Sequence, residues 1–348
     1  MSKPILGIIG GGQLGSMLAI AANKLEIKTV IFCNDIDAPA QNFSNIFIHG
    51  QYNDHTKIKE FIDKVDVITY EFENIPYETL HEINRIKPVL PKPSVNRIIQ
   101  HRLAEKDFIN NLNIRTTRYV SIQKKAEMEP VKDLLPGILK TVTLGYDGKG
   151  QYPINNLDNL DSFDIDYSKG YILEKLVKLK KEISIIITRF GVQKYEIYEP
   201  IENVHEDQIL RNSKIPAIIN NKILEQSKLW ATQISEELKY VGTLCVEFFI
   251  DRNDNLYVNE IAPRVHNSGH LTINSYNVSQ FENHVRAVCK LQQIPLKKIS
   301  NAKMINIIGD QIMSYRNKSF NKNEFFFDYL KKEIKNKRKM GHLTTLLS

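Results

Sequence analysis

The chain has 348 residues, 42% of them hydrophobic and 25% charged, which suits a soluble protein with two or three cores. No apolar run reaches the roughly 18 residues of a membrane span. Cys33, Cys245 and Cys289 lie too far apart for a CxxC pair or a zinc cluster, and read as buried, reduced thiols of a cytoplasmic protein. The net charge of +7 is compatible with nucleic-acid binding, but its densest patches, 175–181 and 331–339, have no interleaved aromatics. Binding of small phosphorylated molecules fits the same charge.

In chain order, the apolar run 5–9 reads as a strand. It breaks into glycines and has no small-residue cleavage site, so it does not read as a signal peptide. A helix over 14–22, a strand over 29–32, a helix marked by Ile58, Phe61 and Ile62, and a strand over 65–70 follow. Strand and helix alternating with short turns predict a parallel sheet covered by helices. The proline-rich segment 87–93 ends this region. A helix over 98–112 then leads into strands at Tyr119, 138–140, 171–173, 183–188 and 195–201. An amphipathic helix carries Ile223, Trp230, Ile234 and Leu238 on one face. A strand pair over 243–250 and 256–260, a helix over 280–291 and a short piece from about Lys303 complete an α+β region.

Five segments could carry chemistry. Gly10-Gly-Gly-Gln-Leu-Gly15 follows a strand and opens a helix, so its backbone can approach a phosphate. With Asp35 after the second strand it would suit a dinucleotide enzyme, or simply a tight turn. Gly145-Tyr-Asp-Gly-Lys-Gly150 has three glycines and a lysine within six residues, a run that could fold over a polyphosphate with its amides and Lys149, although it is no Walker loop; the alternative is a glycine-rich hairpin. If the turn Arg252-Asn-Asp-Asn255 closes symmetrically about Asn253 and Asp254, Glu247 falls opposite Glu260 on one side of the sheet. Two facing carboxylates repel unless a hard cation such as Mg²⁺ joins them; the alternative is two solvent-facing glutamates. Arg264, His266, Asn267, Ser268 and His270 crowd the next ten residues, a density of donors suited to an anion. The run Lys337-Arg-Lys-Met-Gly-His342 reads by itself as a basic tail.

With these residues in place, the chain resembles the ATP-grasp superfamily and, within it, the N5-carboxyaminoimidazole ribonucleotide synthetases. The likeness covers nearly the whole chain. It rests on GGGQLG at 10–15, TYEFENIP at 69–76, HRLAEK at 101–106, GYDGKGQ at 145–151, Glu174 with Glu182, NEIAPRVHNSGH at 259–270, and RKMGH at 338–342. NEIAPRVHNSGH is the most specific of these; GxGxxG is not specific.

The resemblance implies a Rossmann-like pre-ATP-grasp domain over 1–97, an ATP-grasp domain over 98–295 and a small β-rich C-terminal domain over 296–348. It implies ATP-dependent carboxylation of 5-aminoimidazole ribonucleotide with bicarbonate, through carboxyphosphate, in purine synthesis. Arg102, Lys140 and the loop Gly145, Tyr146, Asp147, Gly148, Lys149, Gly150 and Gln151 would hold ATP phosphates. Glu174, Lys175, Leu176 and Val177 would line the adenine site. Glu182 would bind the ribose, with His205 near the nucleotide. Glu247 and Glu260, with Asn259 beside them, would hold Mg²⁺ or Mn²⁺. Tyr146, Arg264, His266 and Lys339 would surround bicarbonate and substrate. Gly12, Gln13, Leu14, Asn267, Ser268 and Arg338 would bind the substrate and its phosphate, and Glu73 its ribose or amine. Thr143-Leu144, where the family often has a second glycine, would stiffen the loop. The resemblance further implies a cytoplasmic homodimer coupled to the mutase that moves the carboxyl group, with neither nucleic acid nor membrane as partner. Another ATP-grasp ligase of purine metabolism and a nicotinamide-dependent oxidoreductase are the competing readings.

Overall fold

The computed structural model describes residues 3–143 and 150–347. Toward the N-terminus, β1 (Leu6–Ile9), β2 (Thr29–Cys33), β3 (Ile46–His49) and β4 (Val67–Tyr70) form a parallel sheet in the order β3-β2-β1-β4. Helices α1 (Gln13–Lys24), α2 (His55–Ile62) and α3 (Tyr77–Asn84) connect and cover it. The alternation of elements foretold this sheet, but β3 carried no signal. It is a four-residue edge strand with Ile46 exposed, so no clear apolar period marks it.

The expected helix over 98–112 is two helices, α4 (Pro93–Ile99) and α5 (Arg102–Asn111). His101 breaks them: its backbone is extended and its ring accepts from the Ala104 amide as an N-cap. Gln100 helps fix the break, since its side chain donates to the carbonyls of Glu73 and Ile75, both at 2.7 Å. The break turns Arg102 and Lys106, one helical turn apart, toward the inside of the protein.

Strands β5 (Tyr119–Ile122), β6 (Gly137–Thr141), β7 (Gln151–Ile154) and β8 (Tyr171–Lys175) make a small antiparallel sheet in the order β5-β8-β6-β7. The long β9 (Leu179–Gly191) starts the main sheet. The single strand expected over 195–201 is two, β10 (Lys194–Ile197) and β11 (Ile201–Glu206), because Pro200 has no N–H to give a ladder. After β12 (Ile209–Ile215), helix α6 (Asn221–Glu237) buries Ile223, Ala231 and Ile234 against β9 and β13 (Gly242–Asp251). Each buried aliphatic of that face is worth about 1.5–3 kcal/mol. Strand β14 (Leu256–Ala262) pairs with β13. Helices α7 (Thr272–Ser275) and α8 (Gln280–Val288) follow, then β15 (Asn301–Ile308), β16 (Glu324–Asp328) and β17 (Lys339–Leu347).

The last three strands extend the main sheet through β12, giving the order β14-β13-β9-β11-β12-β15-β17-β16 with β10 on β9. RKMGH is therefore not a solvated tail. Met340 and His342 are buried in an interior strand. The N-terminal sheet docks on the main one through a shared core in which α1 packs on Phe281, Val285 and Val288 of α8. His284 pins the same seam: its Nδ1 accepts from the Thr243 amide at 3.0 Å, so its Nε2–H donates to Thr69 Oγ1 at 2.8 Å.

Candidate active site

A cavity of about 890 Å³ opens where the three sheets meet. Strands β6, β7 and β8 supply Lys140, Gln151, Glu174 and Lys175 to its wall, and the link to β9 supplies Leu176 and Val177. The main sheet contributes Glu182, His205, Glu247, Asn259 and Glu260, and the segment after β14 contributes Arg264, His266 and Asn267. Gly12, Gln13, Leu14 and Glu73 come from the N-terminal region, Arg102 from α5, and Arg338 and Lys339 from the start of β17. Residues 145–149, with Tyr146 and Lys149, and the altered Leu144 lie outside the described residues. Gly150 adjoins them; its carbonyl accepts from the Thr141 amide at 2.9 Å and its φ is +69°.

At one end sits a buried charge cluster. Lys140 Nζ lies 3.0 Å from Glu174 Oε1 and Lys106 Nζ 3.4 Å from Oε2, while Thr117 donates to the same carboxylate at 2.8 Å. Burial works against the Glu174 anion, but the two lysines outweigh it and hold its pKa well below the usual range. Lys106 also donates to Thr116 at 2.8 Å and to the Asn259 carbonyl at 2.9 Å. Ile138, Leu176 and Phe249 add an apolar stretch of wall to this end. Glu182 pairs with His205. Burial disfavours the imidazolium, yet the bond to Glu182 and the charges of Glu182 and Glu247 raise the His205 pKa.

The hairpin β13–β14 sets the other end. Its register does place Glu247 opposite Glu260, though not by a symmetric turn. Near the turn Phe248 faces Val258; the register then slips, and Asn259 is the extra residue of a bulge. The Asn259 carbonyl turns to Lys106, which explains why the bulge is stable there. Burial, then the facing Glu260, raises the Glu247 pKa. His266 Nε2 lies 3.2 Å from Glu247, and Arg102 lies 3.7 Å from Glu260. Two opposed carboxylates, one buried and reluctant to ionise, form a donor set that suits a hard divalent cation. Cys245 is close enough to join Glu247 and His266 around an ion. However, burial pushes its thiol well up, so the oxygen pair is the better harbour. Arg264 donates to Glu73 at 2.6 Å, tying this end to the N-terminal region.

The Gly12 amide of the glycine turn is taken by the protein itself. Gly12 N–H donates to Glu71 Oε1 at 2.7 Å. A Cβ on Gly10, whose φ is +99°, would stand 2.8 Å from the Glu71 side chain. The protein's own carboxylate fills the place a dinucleotide phosphate would take, and Asp35 accepts the Asp37 amide in a local turn. These two features count against the nicotinamide reading. Ser268 does not line the cavity: it is fully buried and bonds Ser184 and His266.

Several residues in the cavity wall or directly behind it have a role the sequence did not show. Glu105, pushed up to about 8 by burial and then by Glu260, accepts the Ile261 amide at 2.6 Å. Lys106 stands in HRLAEK one turn after Arg102, and that spacing was the available signal. Lys331 reaches Gln13 at 2.8 Å from a run that looked like surface charge. Glu71 carried no periodic signal at all.

A small antiparallel sheet and a large one closing on lysines and an acidic hairpin define an ATP-grasp enzyme, an ATP-dependent ligase. The ATP-grasp domain model matches residues 107–281, flanked by a ribonucleotide synthetase preATP-grasp domain at 2–100 and a phosphoribosylaminoimidazole carboxylase C-terminal domain at 302–348. The chain is 38% identical to the N5-carboxyaminoimidazole ribonucleotide synthase of Brucella melitensis, over 98% of this chain and 96% of that one. It is similar to the crystal structure of N5-carboxyaminoimidazole synthetase from Staphylococcus aureus complexed with ADP. There the TM-score is 0.93 and the identity 34%, over 99% of this chain and 93% of that one. The Aspergillus clavatus enzyme in complex with ADP and 5-aminoimidazole ribonucleotide gives a TM-score of 0.91 at 26% identity, over 99% and 94%. The chain belongs to the N5-carboxyaminoimidazole ribonucleotide synthase family.

Proposed function

We propose that the protein carboxylates the exocyclic amine of 5-aminoimidazole ribonucleotide, consuming ATP and bicarbonate, as a step of purine biosynthesis. The observation that carries this is the facing of Glu247 and Glu260 between a lysine-lined end and an Arg264–His266 end of one cavity. Hydroxide is a poor leaving group, so bicarbonate must be activated. Transfer of the γ-phosphoryl group gives carboxyphosphate and ADP. Carboxyphosphate releases phosphate and CO₂, and the amine attacks CO₂, passing its proton to the departing phosphate.

Each part of the cavity suits one task. Lys140, its charge balanced by Glu174 until a phosphate arrives, and Arg102 would hold the polyphosphate. Leu176 and Val177 would face the adenine and Glu182 the ribose. Glu247 and Glu260 would hold Mg²⁺ or Mn²⁺, which when bound neutralises charge on the phosphates. Arg264 offers a fixed cation and His266 a neutral N–H donor near the developing carboxyl charge. The family likeness also supports a cytoplasmic homodimer whose product passes to the mutase.

The test is ADP release from purified protein with Mg²⁺ and bicarbonate, with and without 5-aminoimidazole ribonucleotide. Release that depends on the ribonucleotide is the expected result. Turnover with some other amine or acid instead would overturn the substrate assignment.

A further inference from the structure

Behind His266 runs a line of buried polar side chains that the proposed chemistry does not use. Ser213 Oγ donates to Asn203 Oδ1 at 2.8 Å, and Asn203 Nδ2 donates to Ser184 Oγ at 3.0 Å. Ser184 Oγ lies 2.8 Å from Ser268 Oγ, which lies 2.8 Å from His266 Nδ1. Ser184 and Ser268 are 0% exposed, Ser213 2% and Asn203 5%. The line crosses the main sheet from β12 through β11 to β9, where Ser184 is the register partner of Glu247 itself.

One backbone group sets the direction of every bond. The Ser268 amide donates to His266 Nδ1 at 3.3 Å, and an amide has no choice of role. Nδ1 is therefore an acceptor, and the Ser268 hydroxyl must also donate to it. Ser268 Oγ must then accept from the Ser184 hydroxyl, and Ser184 from the Asn203 amide nitrogen. The other end is compatible with this: His266 Nε2 faces a Glu247 oxygen at 3.2 Å, within reach of an N–H donor. The amide at Nδ1 thus places the ring proton on Nε2.

We propose that Ser184, Asn203 and Ser213 are positioning residues that act through Ser268 to hold His266 in the Nε2–H tautomer, its N–H aimed at Glu247 and the cavity. Resting on the carboxylase reading, this makes His266 a hydrogen-bond donor throughout the reaction. Its one basic lone pair, on Nδ1, is bonded on the side away from the cavity, so the ring does not serve as the base that takes the amine proton. The arrangement costs the sheet a polar strip across its buried face. Such a strip is tolerable only when every member is satisfied, so the line should fail as a unit.

The test reads the tautomer directly. In protein labelled with ¹⁵N-histidine, long-range proton–nitrogen spectra of the resting enzyme should show His266 with a protonated Nε2 and a bare Nδ1. The resonance is assigned by its loss in His266→Asn. A protonated Nδ1 in the wild-type protein overturns the proposal at once, whatever the substrate proves to be. Ser184→Ala should mix the tautomers and lower kcat about tenfold with the KM for ATP unchanged, and Ser184→Thr should restore both. Ser213→Ala, at the far end, should move both readouts the same way by about twofold, and it keeps the test alive if Ser184→Ala does not fold. A single unchanged tautomer with wild-type kcat in a folded variant of either position sinks the idea.

Discussion

Glu174 and Glu247 are both buried carboxylates on strands that face one cavity, yet burial has opposite outcomes for them. Glu174 meets two lysines and a threonine, and its pKa falls. Glu247 meets another glutamate, and its pKa rises. At the lysine end the Glu174 charge is met by the protein's own lysines before any ligand arrives. The hairpin end keeps two acidic groups face to face, an imbalance that its own residues do not remove. Desolvation alone decides neither case; the nearest charge does.

Substitution at the hairpin gives the largest effect. Glu247→Gln should lower ADP formation by at least about 1000-fold, because one of two oxygen ligands is weakened. In the absence of divalent ions it should also raise the unfolding free energy by about 1 kcal/mol, since a repulsive pair is gone. Activity assays and chemical denaturation check the two halves. A variant both inactive and less stable would mean that the glutamates are not in conflict. Lys106→Met, at the lysine end, should act in the opposite sense on stability. It removes a partner from a buried anion and should cost about 3–5 kcal/mol in denaturant titration. A loss below 1 kcal/mol would show that Lys140 and Thr117 suffice for Glu174.

The smallest effect comes from a buried group without a charged partner. Burial lowers the His284 pKa from 6.5 to about 4. At pH 5 the unfolded chain binds a proton there that the folded chain refuses. Its stabilising contribution is therefore complete above pH 6.5 and is lost as pH falls toward 4, on the order of 2–3 kcal/mol in all. Denaturation at pH 7 and pH 4.5 should show this fall, and His284→Gln should flatten it. An unaltered slope in that variant would move the acid sensitivity to other buried histidines such as His342, held near 3 by burial.

The sequence made some of this legible and hid the rest for identifiable reasons. Strong apolar runs gave β1, β2, β4 and β13, because a buried strand must be apolar whatever its neighbours are. The Glu247–Glu260 pairing was anticipated through a symmetric turn, whereas the structure reaches it through a bulge at Asn259. A bulge depends on what the spare carbonyl finds, here Lys106, some 150 residues earlier in the chain. Glu71 lies within TYEFENIP, but its role could not be read there for the same reason: it fills a turn 59 residues away. Motif density found Arg264 and His266. The positions of Lys331 and Ser268 follow only from the topology of the main sheet.

That topology also orders events in time. Lys339 opens β17, which lies between β15 and β16 and is the last of the described strands to be synthesised. Until it inserts, β15 and β16 have no common partner and the cavity lacks a wall. A growing chain can close its N-terminal sheet early, since those contacts are local. It cannot present Arg338 and Lys339 until synthesis has passed them. Until then the free edges of β15 and β16 stay exposed and must be shielded.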